Sequence, residues 1–223
     1  MTQLPIAPWD PKVLHGITLL DEDVSDLDAV LLDEKGRLKA VPSSVYAAIP
    51  ENRKCLWAHK HAVYGLPTTE LVAFVQEIIG GRTALEIGTG AGCLGRELGI
   101  WLTDNHCQGL PEVKLLLAIQ EQPAIVYPED VENIGAIQAV NKYKPQVVVA
   151  SWVTQLHDGD NIGCMYGVKE EHVIDKVETY IFFGSGRNHS SKRIMKKKHD
   201  TYRQPWMYSR ANDSVLYVWN RHR

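Results

Sequence analysis

One stretch restricts the fold of this chain more than any other: Leu85-Glu86-Ile87-Gly88-Thr89-Gly90-Ala91-Gly92-Cys93-Leu94-Gly95. Residues 83–87 read as a short apolar strand, and residues 93–98 as a short helix. Between them Gly88, Gly90 and Gly92 occupy every second position, and Gly95 follows inside the helix. A strand that ends in glycines and opens a helix lets a ligand approach the backbone closely, because no Cβ intervenes. The unpaired N–H groups at the start of the helix suit an anionic or polar ligand. In a doubly wound sheet such a turn lies at the carboxyl ends of the strands, where ligands bind.

The surrounding pattern agrees with that sheet. Thr68 or Thr69 can cap a helix whose apolar positions Leu71, Phe74, Val75 and Ile78 keep helical spacing, and Gly80-Gly81 stops it. Residues 100–103, 124–127, 147–150 and 180–183 read as further strands, and Val147-Val148-Val149-Ala150 suits a strand buried on both faces. Helices are expected over 111–119, with Pro111 in the first turn, over 134–143, closed by Pro145, and over 170–177. Residues 215–219 are expected to add an antiparallel edge strand. This alternation implies an α/β, Rossmann-like, mostly parallel doubly wound sheet with helices on both faces. It occupies residues 68–223. Residues 1–67 read as a loop-rich N-terminal extension or lid, with Pro5, Pro8 and Pro11, an acid-rich stretch at 21–28, and a turn at Asp33-Glu34-Lys35-Gly36 between two short strands.

Composition narrows the function classes. A chain of 223 residues that is 44% hydrophobic and 23% charged is neither disordered, collagen-like nor a disulfide-dense mini-protein. Cys55, Cys93, Cys107 and Cys164 form no C-x-x-C pair, so no zinc knuckle or redox dithiol is visible, and their scatter suits a reducing cytosol. The start, Met1-Thr2-Gln3-Leu4-Pro5, does not read as a signal peptide, and no apolar run is long enough to span a bilayer. The expectation is a cytoplasmic protein with no membrane partner. A net charge of −3 argues against a wholly basic nucleic-acid coat, yet residues 180–223 hold ten bases and two acids. The basic run Lys192-Arg193-Ile194-Met195-Lys196-Lys197-Lys198-His199, with Trp206, Tyr208 and Arg210 beyond it, could bind a nucleic-acid backbone. A lysine run is more often a solvated loop, so a nucleic-acid partner is possible but not favoured.

Two cofactor patterns overlap in the glycine turn. Gly90-x-Gly92-x-x-Gly95 matches the dinucleotide pattern G-x-G-x-x-G. Glu86, Gly88, Gly90 and Gly92 give acid-x-Gly-x-Gly-x-Gly, and this resembles the first motif of class I S-adenosylmethionine-dependent methyltransferases. A pyrophosphate site gains nothing from a carboxylate at that place, so the position of Glu86 favours the second pattern. The resemblance runs from residue 83 to about residue 183. It includes Leu85–Gly88, Leu94-Gly95-Arg96 and Thr103-Asp104, similar to small bacterial and phage methyltransferase-like proteins. It implies S-adenosylmethionine as cofactor, held by Glu86, Gly88, Thr89, Gly90, Gly92, Asp104, Asn105, Asp130 and Val131. Glu86 would hold the ammonium side of the methionine moiety. Asp130 would face the adenine amino group, with Val131 against the ring. Asp104, 18 residues after Glu86, can accept both ribose hydroxyls. Asp104 could instead be a cap or a surface acid, and Asp130 or Asn133 could simply cap the next helix.

The reaction is less legible. The fourth strand ends in Ala150-Ser151-Trp152-Val153-Thr154, without the Asn or Asp, two prolines and aromatic usual in methyltransferases of exocyclic base amines. No Pro-Cys nucleophile for cytosine C5 is present either. The substrate-pocket candidates are His61, Tyr64, Ser151 and Trp152, and Trp152 walls a pocket beside a sulfonium or else sits in a core. His59, and the loop residues His157, Asp158 and Asp160, are unspecific candidate bases, and they lack a recognised metal-ligand spacing. No catalytic residue is assigned. Three functions stay open: a methyltransferase with an unidentified acceptor, an S-adenosylmethionine-binding protein that regulates or cleaves without methyl transfer, and an NAD-dependent oxidoreductase.

Overall fold

The valine run lies where its composition directs it, in the middle of a sheet. A computed structural model describes residues 22–159 and 163–221. Among the described residues seven strands form one sheet: β1 (Ala84–Ile87), β2 (Trp101–Asp104), β3 (Glu132–Asn133), β4 (Val147–Ser151), β5 (Thr179–Ser185), β6 (Asp200–Tyr202) and β7 (Ser214–Asn220). Their spatial order is β3-β2-β1-β4-β5-β7-β6. Strands β1 to β5 are parallel, and β7 runs antiparallel to both β5 and β6. The chain winds outward from β1 to β3, returns to β4 on the other side of β1, and so leaves a crevice at the carboxyl ends of β1 and β4.

Helices α1 (Ser43–Ala48), α2 (Glu51–Lys60), α3 (Thr69–Ile79), α4 (Cys93–Leu98), α5 (Pro111–Ile119), α6 (Ala136–Tyr143) and α7 (Glu170–Ile174) complete the frame. Alternation along the strands sorts the core into two layers. Leu85, Ile87, Val148, Ala150, Tyr180 and Phe182 pack with Ala139 and Val140 of α6 and with Val173 and Ile174 of α7. The opposite face sets Ala84, Val147, Val149, Ile181 and Phe183 against Leu71 and Val75 of α3 and against Leu94 and Leu98 of α4. Thr68 caps α3: its hydroxyl accepts the Leu71 N–H at 3.0 Å and donates to the Trp206 carbonyl at 3.0 Å. Gly80, at φ +59°, ends that helix.

Three expectations change. Residues 124–127 are not a strand; the third parallel strand is Glu132–Asn133, paired through Thr103↔Glu132 and Asp104↔Asn133. The reason lies in backbone partners: the Ile125 N–H donates to Gln108 Oε1 at 2.9 Å, and Tyr127 stacks on His106 at 4.0 Å. Pro123 and Pro128 flank the segment and interrupt any ladder. The strand over 215–219 is antiparallel but interior, because β6 pairs beyond it and takes the edge. Finally, the segment read as loop-rich carries α1 and α2, with its own buried cluster of Leu31, Tyr46, Trp57 and Leu66. The turn at Gly36 is present at φ +71°, closed by a Leu32–Leu38 bridge.

The basic run is largely neutralised at home. Lys192 and Glu170, 4% and 1% exposed at their side chains, pair at 2.6 Å. The Tyr180 hydroxyl donates to the same carboxylate at 2.7 Å, and the Phe182 ring lies 4.0 Å from the ammonium. Arg193 pairs with Asp158, and Lys197 with Asp175 at 2.8 Å. Removing one member of a buried pair costs about 3–5 kcal/mol, while replacing both by apolar residues is often neutral. Urea unfolding of Lys192→Met is therefore expected to show a loss of that size, largely restored in the Lys192→Met/Glu170→Met double variant.

Candidate functional site

Strand β1 delivers Glu86 to the base of the glycine turn, and there its side chain is almost fully enclosed. The residue is 1% exposed. Its Oε2 accepts the Gly95 N–H at 2.9 Å and the Thr89 hydroxyl. Gly95 is required for this approach: a Cβ there would stand 2.5 Å from Glu86 Oε2 and 2.5 Å from Leu102. Burial raises the Glu86 pKa to about 7, against the opposing bonds from Thr89 and Gly95.

Strand β2 delivers Asp104 beside it. Its Oδ2 accepts the Gly90 N–H at 2.9 Å, and its Oδ1 accepts the His106 N–H at 2.8 Å. The Tyr127 hydroxyl lies against the same carboxylate, whose oxygens can accept more than these bonds. Gly90 turns at φ +58°, and a Cβ on it would come within 3.1 Å of Ile125. The turn, the carboxylates and the ends of β2 and β4 line a cleft of about 760 Å³. That is the size of ordinary small-molecule sites, roughly 300–1,000 Å³.

Of the residues expected at a cofactor, Glu86, Gly88, Thr89, Gly90, Asp104 and Asn105 line this cleft together. Gly92, Asp130 and Val131 are not among its lining. Asp130 faces Arg96 instead, in a two-pronged pair at 2.7 and 2.8 Å, with Arg37 at 3.8 Å. The Arg96 guanidinium holds that carboxyl below its usual range. The same guanidinium donates to the Ala91 and Gly92 carbonyls, so Asp130 braces the back of the turn. Val131 is buried, and Gly92 backs onto Leu102 and Arg96 as the N-cap of α4.

Of the substrate-pocket candidates, Tyr64, Ser151 and Trp152 line the cleft and His61 does not. His61 contacts Asp28 at 3.0 Å and stacks on Trp57. His59 meets the Glu121 carbonyl at 3.0 Å, also outside the lining. Asp158 pairs with Arg193, and Asp160 lies outside the described residues. Among the described residues no group of three or more His, Cys, Asp or Glu is arranged to hold a metal ion, and no helix is long and apolar enough to cross a membrane.

Sequence reasoning missed Gln108, Ile125, Tyr127 and His189, all of which line the cleft. Pro128 hinted that 124–127 was no inner strand. His189 carried no signal, since it follows β5 in a stretch that reads as a polar loop. It is buried, and its Nδ1 accepts the Ser185 N–H at 3.0 Å. Burial and then the Lys192 charge push its pKa down to about 4, so the ring is neutral near pH 7.

The site thus belongs to a class: a Rossmann-like α/β protein with a glycine-turn cleft at the switch point of its sheet. No protein-family model and no curated protein sequence matches the chain. In structure it is similar to an rRNA methylase from Streptococcus thermophilus, at 9% identity and a TM-score of 0.39, over 67% of this chain and 93% of that one. It is also similar to the 23S rRNA methyltransferase ErmE, at 14% identity and a TM-score of 0.34, over 69% of this chain and 68% of that one. Spodoptera frugiperda DNMT2 aligns at 11% identity and a TM-score of 0.33, over 63% of this chain and 50% of that one.

The raised pKa of Glu86 has a consequence for stability. Its folded value lies above its unfolded one, so its contribution is fully present below the ordinary glutamate pKa and is lost as pH rises toward about 7. Between about pH 5 and pH 8 the urea midpoint of the wild type is expected to fall relative to that of Glu86→Gln, which lacks the titrating group.

Proposed function

We propose that this chain is an S-adenosylmethionine-dependent methyltransferase whose cleft takes cofactor and acceptor side by side. The observation that carries the reading is the pair of buried carboxylates, Glu86 and Asp104, at the ends of adjacent strands, with the glycine turn between them. Asp104 has spare lone pairs for the ribose hydroxyls while Gly90 and His106 hold it still. Glu86 becomes a carboxylate deep in the cleft once an ammonium group beside it draws off its proton, which favours that cation and disfavours the pyrophosphate of a dinucleotide. Ile125 and Tyr127, which line the same cleft as Gly90, offer an apolar and an aromatic surface for a flat purine. Those two residues take the part that the sequence resemblance gives to Asp130 and Val131.

When bound, the cofactor supplies an electrophilic methyl group on a positively charged sulfur. The chain's own contribution is then positioning and exclusion of water, which can supply much of the acceleration of a displacement. Tyr64 and Gly65 line the cleft from the end of residues 1–67, which supports reading that extension as a lid. His189, neutral and held at Nδ1, presents a fixed dipole rather than a charge. The four free cysteines fit work in a reducing compartment.

Isothermal titration with S-adenosylhomocysteine tests the reading. Asp104→Ala is expected to weaken binding at least about tenfold, the scale of a lost charge-assisted hydrogen bond, and Glu86→Ala comparably. Asp130→Ala is expected to bind within about threefold of wild type. Binding of NADH with no binding of S-adenosylhomocysteine would overturn the proposal in favour of an oxidoreductase.

A further inference from the structure

Beyond the turn, the cleft has a part that the cofactor assignment leaves over. Tyr64, Trp152, Phe183 and His189 line it, with the Trp152 ring 5.8 Å from Tyr64 and 5.0 Å from His189. Trp152 stands in left-handed backbone at φ +59°, and its buried indole Nε1 has no hydrogen-bond partner. Strained backbone and an unpaired buried donor both cluster at ligand sites, since folding alone gives no reason to keep them. The walls there are flat and aromatic.

Charge and the cleft margin narrow what enters. Among the described lining residues Lys169 is the one lysine or arginine, against the carboxylates of Glu86 and Asp104. Helix α5 has no buried residue; Leu116 lines the cleft, and Leu115, Leu116 and Ile119 are exposed. Val126 and Met165, each next to a lining residue, are exposed as well. None of the basic run lines the cleft, and Lys192, Arg193 and Lys197 are paired with acids; Arg210, beyond it, lies 4.6 Å from the outer face of the Tyr64 ring. A phosphate chain would meet the Asp104 carboxylate behind an apolar margin, whereas an apolar ring would find contacts at the margin and against the aromatic walls.

We propose that the acceptor is a small, flat, largely apolar molecule with an aromatic ring and no phosphate, seated against Trp152 and Tyr64 and admitted past α5. The proposal rests on the methyltransferase reading for the word acceptor; the aromatic pocket itself does not depend on it.

Titration with 1-naphthol, with and without saturating S-adenosylhomocysteine, tests the pocket. Wild type is expected to bind it, Trp152→Ala to weaken binding about tenfold or more, and Trp152→Phe to keep most of it. Leu116→Asp is expected to weaken naphthol while leaving S-adenosylhomocysteine affinity within about twofold. No naphthol binding to wild type, or equal binding by Trp152→Ala, would overturn the proposal. So would tight binding of a short single-stranded oligonucleotide that Trp152→Ala abolishes, which would point to a nucleic-acid acceptor. If naphthol binding depends on Trp152 but S-adenosylhomocysteine does not bind, the pocket stands and the methyltransferase reading falls.

Discussion

A carboxylate buried beneath a glycine turn organises everything at the mouth of this sheet. Glu86 leaves water to accept the Gly95 N–H and the Thr89 hydroxyl, and so ties the first turn of α4 back to the end of β1. An acid so enclosed is tolerable only with donors aimed at it, and the missing side chain of Gly95 lets the backbone donor arrive. Asp104 does the same one strand over, gripping Gly90 and His106. The turn is therefore held at Gly90 and at Gly95 by acids from two strands. Its shape is set by the protein rather than by a ligand.

That pre-set shape is reinforced from behind. Arg96 reaches out of α4 to Asp130 and to two carbonyls of the turn, while Glu97 accepts the Ala40 N–H at 3.0 Å. The N-terminal segment is thus fastened to the helix that the glycine turn opens, and it ends in the cleft at Tyr64 and Gly65. Gly65 packs so closely that a Cβ would stand 2.9 Å from Ser151 Oγ. Binding geometry, the extension and the end of β4 form one mechanical unit.

What was legible in the sequence is what short-range chemistry decides. The glycine turn, the Thr68 cap, the helix opened by Pro111 and the valine strand all follow from local spacing, and the structure contains each of them. What local spacing leaves undecided has a different cause. Residues 124–127 are apolar enough for a strand, but their backbone partner is a side chain from residue 108, a choice no local pattern reveals. Asp130 pairs with Arg96, 34 residues away in the chain, a partner that no local pattern reveals. Strand β7 is interior because β6, which lies in a stretch with no strand pattern, pairs along its outer side. His189 enters the site through its packing on Phe182 and Trp152, which sequence order does not encode.

Amide chemical-shift mapping by NMR during titration with S-adenosylhomocysteine reads most directly whether the Glu86–Asp104 turn holds the proposed cofactor. The largest changes are expected at Gly88, Gly90 and Asn105, with Ile125 and Tyr127 following and little change at Asp130 or His61. Silence along the turn, with changes gathered elsewhere such as the basic run near Lys196 and Lys198, would contradict it.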